Sequence, residues 1–360
     1  MNFLRDIDQK ILELLQQREL LAVTDNEYNL SKIQDLVNQA PDYKLNPSFV
    51  SSLFSLINQE TKQVYLQKLI ALNNPQWGTL YKSASYLGPK GTYSYEALTR
   101  FCERNQFTVT PVSCSNFQDQ VANVYQGITH LAFLPIENTS SGIINEVLDL
   151  LLGHQVHIVG EITLPIVHSL LVNNPDQVSE ITQIYSHPQP IVQSSNFLHS
   201  RYPGVKFVYC DSTADAVMKV KNLSSPEMAA IGSAFCGSLF GLKPIVSNIA
   251  NQTNNFTRFL VIARDPIKVP AEIIAKTSLS FTTPNAPGSL SKVLDVFRQH
   301  TYNMVKLASR PIIGRPWEEQ FYADIIANME TCEAQNALEE LKRLCGSIHI
   351  LGCYPYEQSE

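Results

Sequence analysis

Ala84-Ser85-Tyr86-Leu87-Gly88-Pro89-Lys90-Gly91-Thr92-Tyr93-Ser94 sets a short apolar run against a loop of glycine, proline and hydroxyl residues, and a helical pattern starts where that loop ends. The same arrangement returns four times. Leu131 to Pro135 enters Ile136-Glu137-Asn138-Thr139-Ser140-Ser141-Gly142, Ile184-Tyr185 enters Ser186-His187-Pro188-Gln189-Pro190, Phe207 to Cys210 enters Asp211-Ser212-Thr213, and Ala229 to Ile231 enters Gly232-Ser233. Ser212 and Asp215 stand at the spacing of a capping box. Strand then helix, repeated, predicts an α/β domain over residues 83–265 with a largely parallel sheet, whose ligands bind beyond the carboxyl ends of the strands. Helix N-termini that share one cleft present free N–H groups to an anion, so a small carboxylate is the expected ligand. For any single loop, capping of its own helix is the competing reading. Glu137-Asn138-Thr139 and Thr257-Arg258 add a carboxyl, an amide, hydroxyls and a guanidinium, the groups that hold a carboxylate and protonate a leaving oxygen.

Outward from this core the texture changes twice. Leu4, Ile7, Ile11, Leu14, Leu15 and Leu21 recur at helical steps, Ile33, Leu36 and Val37 suggest a second short helix, and Asn46-Pro47 opens a third pattern that runs to about Ile70. Residues 1–75 thus read as all-helical, and Asn73-Asn74-Pro75-Gln76-Trp77-Gly78 as the linker that closes them. Past Val269-Pro270, over 275–355, the elements follow the order β-α-β-β-α-β of a ferredoxin-like module.

Composition narrows the function. The chain has 360 residues, 27 basic and 33 acidic, for a net charge of −6, which gives no basic footprint for nucleic acid or anionic lipid. Seven scattered cysteines without a Cys-x-x-Cys pair fit free thiols, acids at Asp6 and Asp8 interrupt any signal sequence, and no apolar run reaches membrane length. A cytoplasmic location is expected. His154 and His157 make no metal motif, and Gly88-x-x-Gly91 lacks the dinucleotide and P-loop fingerprints, so neither a metal nor a nucleotide is expected.

The four motifs Gly88 to Ser94, Pro135 to Gly142, Tyr185-Ser186-His187-Pro188-Gln189 and Asn255-Phe256-Thr257-Arg258-Phe259 closely resemble those of prephenate dehydratases. The whole chain is similar to the bacterial P-protein family, in which a helical chorismate mutase precedes a dehydratase and a regulatory ACT domain. The resemblance implies a two-lobed dehydratase, like a periplasmic binding protein, that converts prephenate to phenylpyruvate without a cofactor. It implies Thr257 as the catalytic threonine. A threonine hydroxyl is too weak an acid to deliver a full proton unaided, so Glu137, its pKa raised in a closed cleft, is the expected helper. Asn138, Thr139, Ser186, Gln193, Arg258 and Thr92 are the implied substrate-binding residues.

Gly288-Ser289-Leu290 and Ser309-Arg310-Pro311 match the motifs that shape a phenylalanine pocket between paired ACT domains, with Ala308 where the family has a glutamate. The resemblance therefore implies phenylalanine as effector and a homodimer or higher homo-oligomer. In the helical part Arg18 matches one mutase arginine. The other positions fall at Met1, Tyr28 and Asn29, with Thr61 and Tyr65 replacing serine and glutamine. With one basic ligand where electrostatic stabilisation needs several, little or no mutase activity is expected. The rival reading keeps both activities, with Lys32 or Lys44 standing in. A non-catalytic sensor of small acids is the reading from a different class.

Overall fold

The computed structural model describes residues 3–356 apart from 23–29, 76, 78, 79, 179 and 313, so Met1, Tyr28 and Asn29 lie outside the described residues. The chain divides into two compact units, residues 1–77 and 78–360.

The first unit holds three helices, α1 (Phe3–Ala22), α2 (Leu30–Gln39) and α3 (Pro47–Asn73). Asn46 caps α3 by accepting a 2.8 Å bond from the Ser48 N–H, with Pro47 at the first helical position. Ile33, Val50, Val64 and Ile70 are buried among the helices, whereas Leu4, Ile7, Ile11 and Leu14 of α1 remain exposed within this chain.

The second unit begins with β1 (Ser83–Leu87), α4 (Tyr93–Arg104), β2 (Thr110–Cys114), α5 (Phe117–Tyr125), β3 (Leu131–Asn138), β4 (Gly142–Ile143), α6 (Asn145–Gly153) and β5 (His157–Pro165). There follow β6 (Ser169–Val172), β7 (Gln183–Ser186), α7 (Pro188–Gln193), α8 (Ser195–Arg201), β8 (Lys206–Tyr209), α9 (Thr213–Leu223), β9 (Met228–Gly232), α10 (Ala234–Phe240), β10 (Lys243–Ser247) and β11 (Phe256–Ala263). The strands form two sheets, β2-β1-β3-β11-β5 in the first lobe and β10-β6-β9-β7-β8 in the second. Neither sheet is largely parallel. β1 runs parallel to β2 and β3, and β7 to β8 and β9, but β11 is antiparallel to β3 and β5, and β6 to β9 and β10. The cause is topological: the chain leaves the first lobe through 166–168 and returns through 248–255, and a strand that returns this way enters the sheet from the opposite end.

The two crossovers are bonded to each other. The Ile249 N–H donates to the His168 carbonyl at 3.0 Å, and the Ile166 N–H donates to the Asn255 carbonyl at 2.7 Å. Away from this waist the lobes also touch. A Cβ on Gly91, whose φ is +96°, would lie 2.8 Å from Phe240 and 2.9 Å from the Cys236 sulfur, so only glycine lets the β1–α4 loop reach α10.

The remaining elements are β12 (Ala275–Thr282), α11 (Ser289–Gln299), β13 (Asn303–Pro311), β14 (Glu319–Ile326), α12 (Cys332–Leu344) and β15 (Ser347–Pro355), an antiparallel sheet ordered β13-β14-β12-β15. That order is ferredoxin-like. Its helices pack on a core that includes Leu279, Phe281, Val293, Phe297, Ile325 and Leu341. β15 packs against β5 so closely at Gly352 that a Cβ there would sit 2.1 Å from the Ile158 carbonyl oxygen.

Candidate active site

β3 and β11 are neighbours, and their register sets Asn138 opposite Thr257 and Glu137 opposite Arg258. Successive strand residues point to opposite faces, so these two adjacent pairs serve different surfaces. On one face the Asn138 amide nitrogen donates to the Thr257 hydroxyl at 2.9 Å and to the Asn255 side-chain oxygen at 2.7 Å. The orientation of the amide is fixed, because its oxygen accepts the backbone N–H groups of Ser140 and Ser141 at 2.8 and 3.0 Å. Thr257 therefore accepts from Asn138, and among the described residues no acceptor takes its own hydroxyl hydrogen. That hydrogen is available to a ligand.

On the other face Arg258 is buried with three carboxylates. Its Nε donates to Glu137 at 2.7 Å, Nη1 to Glu161 at 3.0 Å and Nη2 to Asp324 of β14 at 2.8 Å. Burial disfavours its charge, but Asp324 and then Glu161 outweigh that and hold the guanidinium protonated. Each guanidinium nitrogen donates to a carboxylate of the protein, so in this structure Arg258 acts as a tie between strands, where its motif implied a ligand of the substrate carboxylate. Glu137 also differs from expectation. Lys306 of β13 donates to its second oxygen. Burial pushes the Glu137 carboxyl up, yet Arg258 and Lys306 prevail and leave it below the usual glutamate range. A carboxyl held ionised by two cations is a poor proton donor, the opposite of the raised pKa expected from a closed cleft.

Two hydroxyls expected to bind substrate are likewise committed. Thr92 caps α4, donating to the Leu87 carbonyl at 3.0 Å and accepting from the Tyr95 N–H at 3.4 Å. Thr139 donates to the Asn254 carbonyl at 3.1 Å and accepts the Phe256 N–H at 2.9 Å, which pins the returning crossover to β3.

In the second lobe Ser186 ends β7 fully buried, and among the described residues its hydroxyl has no partner. An orphaned buried hydroxyl is costly, and a ligand would satisfy it. Gln193 closes α7, and its side-chain oxygen accepts a 2.8 Å bond from Nε2 of His168, whose Nδ1 lies 3.3 Å from the Tyr93 hydroxyl. The Asn251 N–H of the returning crossover donates to the Gln193 carbonyl at 2.6 Å. The waist thus ties Gln193 of one lobe to His168 and Asn251 of the crossovers, whose Asn255 bonds Asn138 of the other lobe. His168 was missed in the sequence, since a lone histidine carries no spacing signal, and Tyr93 stood within the Gly88 to Ser94 motif but was given no role there. Asn255 lay within the Asn255 to Phe259 motif and could have been found there.

Elsewhere, a cavity of about 510 Å³ is lined by residues that include Gly288, Ser289, Leu290, Trp317 and Phe321. Ser309, Arg310 and Pro311 do not line it, and Arg310 instead makes a two-bond pair with Asp149 at 2.7 and 2.6 Å. In the helical unit Arg18 donates to the Ile57 carbonyl at 3.3 Å and to the side chains of Asn58 and Thr61. Among the described residues there is no metal-ligand cluster and no helix long and apolar enough to cross a membrane.

Residues 84–267 match the family model of prephenate dehydratase. A bifunctional chorismate mutase/prephenate dehydratase of Enterobacter agglomerans is 41% identical over 98% of this chain and 94% of its own length. Among solved structures, a prephenate dehydratase from Arthrobacter aurescens in complex with L-Phe superposes with a TM-score of 0.66 at 25% identity, over 76% of this chain and 90% of that one. A quorum-quenching acylase, also at 0.66, is 29% identical over 77% of this chain and 98% of its own. On the full-length match and the motifs that build this site, the chain belongs to the family of bifunctional chorismate mutase/prephenate dehydratases.

Proposed function

We propose that the two-lobed part converts prephenate to phenylpyruvate with Thr257 as the group that meets the departing hydroxyl. In this reaction the ring carboxylate leaves as carbon dioxide, its electron pair completes the aromatic ring, and the C–O bond breaks to release hydroxide, which becomes water on taking a proton. A hydrogen bond that strengthens as that charge develops lowers the barrier. The fixed amide of Asn138 carries this reading, because it makes Thr257 a donor toward the ligand. The same geometry opposes an acylase chemistry, since a nucleophilic hydroxyl needs a base that accepts its proton and Asn138 offers only N–H. Ser186 and Gln193 would hold the substrate from the second lobe.

Phenylalanine is proposed as the effector of the cavity at Gly288 to Leu290. Since Ser309 to Pro311 lie outside that cavity in one chain, a second copy is needed to bring both motifs together. The exposed apolar face of α1 supports a homodimer or higher homo-oligomer in the same way. For the helical unit we propose weak or absent mutase activity, because Arg18 is drawn to Asn58 and Thr61 where a dicarboxylate would need several free cations. The description of the 41% identical relative as bifunctional favours the second reading, with both activities. No cofactor is proposed, and the free cysteines fit a cytoplasmic location.

The test is phenylpyruvate formation by the purified chain from prephenate and, separately, from chorismate. Product from prephenate alone is expected. Product from chorismate as well would establish the second reading, and product from neither would leave a non-catalytic sensor of small acids.

A further inference from the structure

Thr257 is followed on its strand by Arg258, whose side chain points to the opposite face and is tied to three carboxylates. Arg258 reaches Glu137 and Glu161 within the first lobe and Asp324 in the ferredoxin-like module. The module answers with two lysines: Lys276 of β12 on Glu161 and Lys306 of β13 on Glu137. Three carboxylates and three cations therefore balance to zero across the join. Asp324 is itself firmly seated. It is fully buried, and its other oxygen accepts from Ser278 at 2.6 Å, whose hydroxyl also meets Tyr354 at 2.9 Å and Tyr322 at 3.2 Å.

On the reading of Thr257 given above, we infer that Asp324 is a positioning residue for the dehydration: through the Arg258 fork it fixes the start of β11, and with it the Thr257 hydroxyl, from the neighbouring module. The argument is geometric. Thr257 and Arg258 are joined by one peptide, so a shift of the Arg258 backbone moves Thr257 with it, away from an Asn138 amide whose oxygen is held by Ser140 and Ser141. β11 also carries a register irregularity toward β3 immediately after Arg258, while its pairing with β5 runs unbroken from Phe256 to Val261. The side-chain fork adds a tie on the β3 side, where the ladder is irregular. Any displacement of β14 relative to the first lobe is delivered to the reacting hydroxyl.

The experiment compares the full chain with Asp324→Asn, Arg258→Lys and Lys306→Met, all at matched thermal stability. It reads kcat and KM for prephenate, and amide hydrogen exchange over residues 256–263. Asp324→Asn keeps the shape and the Ser278 bond but loses the charge, so kcat should fall about tenfold or more with KM within about twofold, as misplacement of a reacting group does. Exchange at the start of β11 should quicken. Lys306→Met, at the more exposed rim, should show the same kcat-only loss at smaller size and serves if Asp324→Asn fails to fold. Unchanged kcat and unchanged exchange in both variants would overturn the inference. So would Arg258→Lys if it raised KM tenfold at constant kcat, which would make Arg258 a substrate ligand. If the wild-type chain makes no phenylpyruvate from prephenate, the functional reading fails, and the exchange comparison still decides whether Asp324 holds β11.

Discussion

Replacing Gly352 by alanine tests the join between the two modules with one methyl group. The added Cβ would stand 2.1 Å from the Ile158 carbonyl oxygen and 2.8 Å from both the carbonyl carbon and the Cβ of Ile158. A carbon and a carbonyl oxygen in good contact sit about 3.3 Å apart or more, so β15 and β5 must separate by about 1.2 Å. The oxygen and carbon it meets first are backbone atoms of β5, so no side-chain rotation relieves the contact. Overpacking of this kind costs about 1–3 kcal/mol. The displacement also reaches the ion cluster, because β12 and β14 belong to the sheet that β15 closes. Opened by the same distance, the 2.8 Å bond between Arg258 and Asp324 becomes about 4 Å, which is no longer a hydrogen bond and removes about 1.5–3 kcal/mol more. At about 2 °C per kcal/mol for a large unit, a loss near 3 kcal/mol lowers the melting temperature by about 6 °C. Thermal unfolding followed by circular dichroism and prephenate turnover at 25 °C measure the two effects. A melting temperature within about 1 °C of wild type together with unaltered kcat would refute the close approach and everything built on it.

Thr257→Ala should abolish turnover while calorimetric binding of prephenate persists; retained turnover removes Thr257 from the reaction. Thr92→Ala should cost about 1 kcal/mol of stability, the usual worth of an N-cap, and leave KM unchanged, whereas a raised KM would restore it as a ligand. For Glu137 the folded pKa lies below its unfolded value, so its stabilising effect is full at neutral pH. It is lost as pH falls from the ordinary glutamate value of about 4.3 through the folded one. The stability gap between wild type and Glu137→Gln should close over that acidic range, and a gap that widens there instead would mean the carboxyl is protonated in the native state. Arg18→Ala should leave phenylpyruvate formation from prephenate as it is; a specific loss with chorismate as substrate would show a working mutase site.

Much of this arrangement was legible in the sequence. Ser212, Asn46 and the apolar runs before each loop announced caps and strands that the structure contains, since caps and periodicity are local. Sheet direction was not legible, because the strand-then-helix reading left out β6 and β11, the strands that run against their neighbours, and only the crossovers decide their direction. The site was half readable. Asn138 and Thr257 stand in motifs, and the period of two in a strand already separates them from Glu137 and Arg258; treating Glu137-Asn138 as a loop hid that alternation. The partners that neutralise Arg258 lie 97 and 66 residues away at Glu161 and Asp324, and no spacing rule connects them. His168 carried no signal either, since its role depends on burial at the waist.

That waist has a consequence for the architecture of the chain. Residues 169–247 leave and re-enter the first lobe at a single point, where Ser169 pairs with Ser247 and the His168 carbonyl accepts from Ile249. The second lobe is therefore an insertion into a sheet that is otherwise completed by β11. Its ends already meet, so a short turn can replace it without stretching either crossover, and the excised segment can be closed on itself or moved to another host. Two half-enzymes made this way would each keep their own sheet, and mixing them would ask whether the cleft needs a covalent hinge at all.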